Sequence, residues 1–386
     1  MIQPGYRRFK SQLATFSLTR LILNTGFRMV YPFLPVFSRG LGVDLQILAL
    51  VVSARALLGI ASPLYGALAD LRGRKQAMLF GLGIYSGGFL IVTLLPNFPG
   101  FVIALLLSAV GKIIFDPAVL SYLGDIVKYE RRSRAIAITE LGWSGAALIG
   151  IPIVGFIISR SGWTAPFTWL APLTVAVAIV IARIIPPTPL KDGNRPSLFE
   201  NIESVLRYRS ALAAVLVGFL IAAGNEAINI VYGAWMEQAF QVSIIALGAA
   251  TIVIGLAELS GEGLVAGISD TIGKRRSIAI GIVANAVACI ALIILSRTLV
   301  GALAGLFFYF LTFEFTLVSA IPLMTELVPG SRATTMSVFI SGIASGRAIG
   351  ALIGPFLFGE GMIVNCLLVV FVDIVALVVL LRFVRE

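Results

Sequence analysis

The sequence contains no histidine, only two cysteines, and few charged residues, which make up 12% of its 386 residues. Without histidine, Ser-His-Asp hydrolase chemistry and most metal centres lose a principal base or ligand. No P-loop is present, because the stretch from Gly267 to Lys274 has the wrong spacing and Arg275 follows where Ser or Thr is required. We therefore expect no enzyme activity, no metal, no cofactor and no direct drive by ATP. Any proton relay must use carboxylates.

Apolar residues are abundant: hydrophobic residues make up 59% of the chain and the mean hydropathy is +1.01. A soluble domain carries about 25% charged residues, so the chain is predicted to reside in a lipid bilayer. Apolar runs long enough to span it recur about twelve times, with end points good to about ±2–4 residues. The predicted spans are 12–36, 46–70, 75–95, 99–124, 134–158, 163–185, 211–238, 243–269, 275–297, 299–326, 334–357 and 361–383. The pattern indicates an all-α membrane protein with twelve transmembrane helices.

The basic residues indicate the orientation of the chain. With the N-terminus in the cytoplasm, the outer loops hold only Arg39, Arg160 and Arg297 of the 29 Lys and Arg residues. The positive-inside rule therefore predicts that both termini are cytoplasmic. The net charge of +10 is a signal of topology, and we expect no nucleic-acid partner. The short loops favour a bacterial inner membrane. Cys289 and Cys366 both fall inside spans and are expected to be free and structural.

One long connection divides the predicted spans into two groups of six. We predict an N-terminal bundle over 1–185, a cytoplasmic linker over 186–210 and a C-terminal bundle over 211–386. The linker begins with two prolines, and Ser197 with Glu200 forms a capping box before apolar residues at helical spacing. This pattern predicts a short amphipathic helix, and an unstructured linker is the alternative.

A loop motif occurs twice. The first copy, GALADLRGRK, runs from Gly66 to Lys75, and the second, AGISDTIGKR, runs from Ala266 to Arg275. Equivalent motifs in two halves of a membrane protein imply an internal duplication, as in many secondary transporters. The matching pairs are Asp70 with Asp270, Gly73 with Gly273, Arg74 with Lys274, and Lys75 with Arg275.

The first copy resembles the pattern G-x-L-x-D-R-x-G-R-R/K of the major facilitator superfamily. The region with Gly145, Gly150, Pro152 and Gly155 partly resembles the family's antiporter motif. The resemblance implies two pseudo-symmetric six-helix bundles, substrate binding near the midplane and alternating access. It is nearest to the bacterial drug–proton antiporter branch. The residues that match the loop pattern are Gly66, Leu68, Asp70, Arg72, Gly73, Arg74 and Lys75.

By this resemblance, the loop motifs close the cytoplasmic side. Asp70 would meet the start of the eleventh predicted span, near Ala333 to Thr335, with Arg134 close by. Asp270 would do the same at the start of the fifth predicted span. In the alternative, the basic residues only anchor the loops inside the cell. The candidate gating residues are Gly66, Asp70, Arg72, Gly73, Arg74, Lys75, Arg134, Asp270, Gly273, Lys274 and Arg275.

Ionisable residues at membrane depth cost at least ~2.5–3.5 kcal/mol each on insertion scales, so they usually face a cavity or a partner. Lys112 and Asp116 are four residues apart and can neutralise each other. Glu258 and Glu262 have the same spacing with like charge, so at least one is expected to hold a proton unless a cation lies close. The candidate residues for substrate or proton binding are Arg28, Lys112, Asp116, Glu140, Glu226, Asn229, Glu258, Glu314 and Arg347.

Glu314 and Glu226 are the principal candidate proton carriers. Asp373 lies in the last predicted span, and the sequence does not indicate its role. The function expected is proton-coupled efflux of a small amphipathic solute by a monomer. Transport of a sugar, metabolite or lipid by symport, antiport or facilitated diffusion is the alternative. A membrane sensor or enzyme is a further one, which the missing histidine and the paired loops disfavour.

Overall fold

The computed structural model describes residues 4–61, 73–127, 129–186, 205, 207–328 and 332–384. Within these ranges every regular element is a helix and no strand occurs, which confirms the predicted all-helical class. Most of the predicted linker, with its amphipathic helix, lies outside them. The helices are α1 (Pro4–Arg28), α2 (Val30–Leu41), α3 (Leu45–Leu57), α4 (Arg74–Leu94), α5 (Phe98–Ile126), α6 (Tyr129–Gly145), α7 (Ile151–Ser161), α8 (Ala165–Ile184), α9 (Arg209–Asn229), α10 (Tyr232–Phe240), α11 (Ile244–Leu264), α12 (Asp270–Ile272), α13 (Lys274–Leu295), α14 (Leu299–Glu326), α15 (Arg332–Phe358) and α16 (Met362–Phe383).

Among the described residues, π-helical turns after α6 and α11 join consecutive helices without a loop, and a short 3-10 turn follows α3. Such single π turns are inserted residues that bulge out of a continuous helix and are frequent at functional sites. The 3-10 turn is Leu58–Ala61, and the two π-helical turns are Ala146–Gly150 and Val265–Ser269.

Ten helical stretches within the described residues are long and apolar enough to cross a membrane. They coincide with the predicted spans from 75–95 onward, so the chain is a multi-pass membrane protein. The first two predicted spans are not among the ten. The first is broken at Met29, and the second is described only as far as Ala61 as a shorter apolar helix. The total of twelve therefore stays a prediction.

Contacts between helices divide the chain into two compact units, Met1–Val43 with Ala61–Gly193, and Asp44–Ile60 with Asn194–Glu386. In the first unit, α4 packs against α5 and α8, and α1 packs against α6 and α8. In the second, α9 packs against α15 and α16, and α13 packs against α14 and α16. The predicted boundaries at 185 and 211 stay a prediction.

The second unit contains α3, although this helix precedes most of the first unit in the sequence. It packs against α15, where the Ser53 hydroxyl donates a hydrogen bond to the Ala348 carbonyl at 2.7 Å. Gly59, just after α3, continues this contact, since a Cβ there would lie 2.8 Å from the Cβ of Ala344. The sequence halves and the contact units thus differ by one helix.

Phenylalanine rings fill one end of the first unit. The ring centroids of Phe37 and Phe101 are 5.3 Å apart, those of Phe37 and Phe167 5.8 Å, and those of Phe89 and Phe167 5.2 Å. These distances are typical of packed aromatic pairs. The aromatic residues of this cluster are therefore part of the core, and they hold α2, α4, α5 and α8 together.

Candidate functional site

Arg28, the first candidate residue, lies at the break between α1 and α2. Pro32 has no N–H to donate to the carbonyl of Arg28 four residues earlier, and α1 ends there. A cation at the carboxyl end of a helix is favoured by the helix dipole. Broken helices at membrane depth are the usual place for substrate and ion sites in transporters. Arg28 is therefore positioned by the break itself.

The equivalent span of the second unit is broken as well. Between α9 and α10, the Val231 N–H donates to the carbonyl of Ile228, three residues back, at 3.1 Å. Glu226 and Asn229 occupy the last turn of α9, just before this break. Glu226 is only 1% exposed and Asn229 is half-buried. Each unit thus places a candidate ionisable residue at the end of a broken helix.

An ion-pair network links three helices of the first unit. Arg20, in α1, places its Nη1 2.6 Å from Glu140 Oε1 of α6 and its Nε 3.5 Å from Asp116 Oδ1 of α5. Lys112 Nζ donates a hydrogen bond to the other oxygen, Asp116 Oδ2, which confirms that this pair shares a face of α5. Two cations therefore meet two carboxylates, and Asp116 is the shared anion.

An aromatic ring adjoins this network. The Arg28 guanidinium carbon lies 4.4 Å from the centre of the Trp143 ring, and Nη1 donates to the Trp143 carbonyl at 3.2 Å. Lys112 Nζ lies 6.0 Å from the same ring and 5.8 Å from the ring of Phe27. A cation over an aromatic face is attracted by the ring quadrupole. The arrangement combines charge with a flat apolar surface, which suits an amphipathic ligand.

Glycines bring α6 close enough to α1 for these contacts. A Cβ on Gly142 would lie 2.9 Å from the Ser17 carbonyl oxygen, and one on Gly150 would lie 1.9 Å from Thr25 Oγ1. A larger residue at either position would force the helices apart. Gly150 closes the π turn after α6, and it belongs to the glycine pattern that resembled the antiporter motif. In this structure these two glycines serve close packing.

The carboxylates of the second unit fall in two places. Glu314 of α14 lies against α11, because a Cβ on Gly261 would be 3.0 Å from the Cβ of Glu314. Glu258 and Glu262 lie on the same helix, within one turn of Gly261. Glu258 is buried.

Glu226 occupies the other place, against α15. A Cβ on Gly350 would lie 2.8 Å from the Cβ of Glu226. Arg347 is on the same helix, one turn before Gly350, and is half-buried. Its Nε is buried without a hydrogen bond from any residue that the structure describes. Glu226 and Arg347 are therefore carried by facing helices.

The paired loop motifs make equivalent contacts in both units. Gly73 and Gly273 have positive φ angles of 87° and 93°, a conformation that side chains disfavour. Arg74 Nε lies 3.3 Å from Asp125 Oδ2 near the end of α5, and Lys274 pairs with Glu326 at the end of α14.

The second basic residue of each motif binds the end of the last helix in its half. Lys75 Nζ donates to the Ala182 carbonyl of α8, and Arg275 Nη2 donates to the Leu381 carbonyl of α16, both at 2.6 Å. A cation at a helix carboxyl end satisfies carbonyls that lack partners in the helix. The sequence duplication is thus matched by a duplicated set of contacts.

Other gating candidates cannot be compared in this way. Gly66, Asp70 and Arg72 lie outside the described residues, as do the side chains of Arg134 and Asp270. The gating role of the motifs stays a prediction.

Arg20 is the site residue that the sequence reasoning missed. It lies inside the first predicted span, eight residues, or about two helical turns, before Arg28. That spacing puts both arginines near one face of the helix, and a helical projection would have found it. Its partner Glu140 is 120 positions away, so the pairing itself required the structure.

A family model described as Major Facilitator Superfamily matches residues 16–223 and 214–386. The chain belongs to this superfamily. The Bacillus subtilis relative "Uncharacterized MFS-type transporter YceJ" is 25% identical over 353 residues, covering 89% of this chain and 88% of the relative. "Multidrug resistance protein 2" of the same organism is 24% identical over 350 residues, covering 86% and 84%.

Solved structures give the same fold. A D-xylose–proton symporter superposes with a TM-score of 0.77 at 16% identity, covering 97% of this chain and 98% of that one. At this identity the likeness shows the fold alone. The chain is therefore a Major Facilitator Superfamily membrane transporter, and its solute must be inferred from its own residues.

Proposed function

We propose that this chain exports a small amphipathic solute in exchange for protons. The observation that carries the proposal is the ion-pair network of Arg20, Asp116 and Lys112, together with the cation–aromatic contact of Arg28 and Trp143. Charged networks at membrane depth are costly and mark substrate or ion pathways. An adjoining indole adds the apolar surface that an amphipathic solute needs.

Proton coupling is supported by the buried carboxyl groups of the second unit. Glu226, Glu258 and Glu314 are each less than 9% exposed, and the chain has no histidine. A carboxyl group that binds a proton in one stage and loses it in the next is the remaining chemistry for a relay. The relative named a multidrug resistance protein is consistent with a solute of this class.

In the proposed layout, the chain has twelve spans in two halves, 1–185 and 211–386, joined by a cytoplasmic linker over 186–210. The protein acts as a monomer in the inner membrane, with both termini in the cytoplasm and alternating access of the solute site. The loop motifs contribute to the gate, with Asp70 as the residue whose replacement tests it.

Flux in proteoliposomes tests the function. A pH gradient with an acidic lumen is expected to drive uptake of fluorescent hydrophobic cations, and a protonophore should abolish it. Hydrophobic anions and sugars serve as comparison solutes. Uptake that ignores the pH gradient, or no uptake of amphipathic solutes by folded protein, would contradict the proposal.

Replacement of one carboxyl group tests the coupling residue. Glu314→Gln is expected to reduce pH-driven uptake to the level of empty liposomes while solute exchange continues, because the amide cannot bind or release the proton. Glu360→Gln is the matched control, since Glu360 is an exposed acid in the turn before α16. If Glu314→Gln pumps as the wild type does, Glu314 is not the proton carrier.

A further inference from the structure

Asp373 is a buried acid of the second unit that has no part in the proposed function. Asp373 is near the midpoint of α16, a helix long and apolar enough to cross the membrane. It is 2% exposed, and its Oδ2 accepts no hydrogen bond from the described residues. An unpaired ionised carboxylate at such a place is very costly, so a proton is the simplest way to neutralise it.

Polar groups from three other helices surround this part of α16. The hydroxyl of Tyr309, on α14, donates to the Gly224 carbonyl of α9 at 3.4 Å. The Cys289 thiol of α13 lies 3.5 Å from the Cys366 carbonyl. Tyr309 and Cys289 are titratable groups near Asp373.

Several charged residues of the second unit have other contacts. Glu226 of α9 lies against Gly350 of α15, and Glu314 of α14 lies against Gly261 of α11. At the first turn of α13, Lys274 pairs with Glu326, while Arg275 binds the Leu381 carbonyl at the far end of α16. Arg347, on α15, has no ion pair with Asp373 among the described residues.

Contacts connect the Asp373 region to the turn that carries Glu226. Val372, next to Asp373, packs on α9, since a Cβ on Gly224 would lie 2.9 Å from Val372 Cγ2. Tyr309 binds the carbonyl of this same Gly224, and the buried Nδ2 of the neighbouring Asn225 has no acceptor among the described residues. The contacts of Val372 and Tyr309 with Gly224 therefore connect the surroundings of Asp373 to this turn.

We propose that Asp373 is a proton-binding site, and that Tyr309 transmits its charge state to the Gly224–Glu226 turn of α9. The proton binds one carboxylate oxygen and leaves from it, so the group alternates between neutral and anionic forms. Its use in transport rests on the proposed function, whereas the binding of a proton does not.

Infrared spectroscopy of the full chain in liposomes tests the site without any solute. A protonated carboxyl group has a C=O stretching band that a carboxylate lacks. We expect a band that disappears as the pH is raised, is missing from Asp373→Asn, and is kept by the control Glu360→Gln. A spectrum in which Asp373→Asn changes no titrating band would overturn the proposal.

Tyr309→Phe is the second variant, in case Asp373→Asn fails to fold. It removes only the hydroxyl, and the band of Asp373 is expected to persist at a shifted frequency because the neighbouring dipole is lost. An unchanged band in Tyr309→Phe would overturn the transmission through Tyr309. A titrating Asp373 band with pH-independent flux would leave this site standing and refute the proposed coupling. Normal pH-driven flux with no such band would support the proposed coupling and refute proton binding by Asp373.

Discussion

At the scale of single residues, Arg20 is the centre of the first unit's charged network. It is 6% exposed and contacts a carboxylate on each of two helices, α5 and α6. Buried charges are tolerated only when they are paired, and a partner left alone is more costly than the pair. Arg20 therefore does two things: it contributes charge to the candidate site, and it compensates Asp116 together with Lys112.

We expect Arg20→Gln to destabilise the protein more than Glu140→Gln. The Arg20 side chain is 7% exposed and that of Glu140 is 40% exposed. Breaking a buried pair costs about 3–5 kcal/mol, whereas an exposed pair contributes about 0.2–1 kcal/mol. The apparent melting temperature in detergent should therefore fall clearly for Arg20→Gln and little for Glu140→Gln. Equal losses would contradict the assignment of Arg20 as the buried partner.

The residue scale also shows what the sequence can and cannot reveal about a site. Lys112 and Asp116 are four residues apart on one helix, so their contact follows from helical geometry. The contact between Arg20 and Glu140 depends on how closely α1 and α6 approach, which is decided by Gly142 and Gly150. Close approach through glycines depends on both helices, so the hydropathy of the sequence does not predict which helices will pack closely.

At the scale of elements, glycine pairs determine which helices can touch. Gly81 of α4 and Gly111 of α5 face each other: a Cβ on Gly81 would lie 2.7 Å from the Gly111 carbonyl oxygen, and the reverse distance is 2.5 Å. Without a hydrophobic driving force between helices in lipid, such backbone proximity is a main source of association. Gly83 and Gly87, on the same helix, do not share this role.

Gly81→Ala and Gly83→Ala form a matched pair of variants. We expect Gly81→Ala to destabilise the protein by about 1–3 kcal/mol, because the added methyl group meets backbone atoms that cannot turn away. Gly83 is exposed and a Cβ there meets nothing within 4 Å, so Gly83→Ala is expected to have no such effect. Thermal unfolding followed by thiol-independent fluorescence or light scattering compares them. A similar loss in both would refute the close α4–α5 contact.

Helix ends were predicted best where apolar and polar stretches change abruptly. The span predicted at 361–383 is observed as Met362–Phe383, and the one at 75–95 as Arg74–Leu94. The first helix starts much earlier than predicted, at Pro4, since its first turns are polar and hydropathy does not register them. The break at Met29 was not predicted either, although the sequence has Pro32 and Pro35 shortly after it, and proline interrupts the hydrogen bonding of a helix.

At the scale of the whole molecule, orientation in the membrane is the property most open to test. Among the connections, the turn at Glu360 is predicted to face outward and the loop at Thr271 inward, following the positive-inside rule. Both residues are exposed, and the native Cys289 and Cys366 are buried, so background labelling should be low.

Glu360→Cys should react with a membrane-impermeant maleimide in intact cells, whereas Thr271→Cys should react only after the membrane is opened. The reason is the concentration of Lys and Arg in the loops on the Thr271 side. Labelling in the opposite order would invert the proposed topology. Labelling of both in intact cells would show that one of the helices between them does not span the bilayer.

The packing of α3 against α15 has a consequence for how the protein is made. Ser53 and Ala348 are 295 positions apart in the chain. At ~5–20 residues per second of synthesis, roughly 15–60 s separate the emergence of these two residues from the ribosome. During that interval α3 has been made but lacks its native neighbour. We therefore expect the Ser53 hydroxyl and the buried Arg55 to make interim contacts, and assembly of the second unit to finish only near the end of translation.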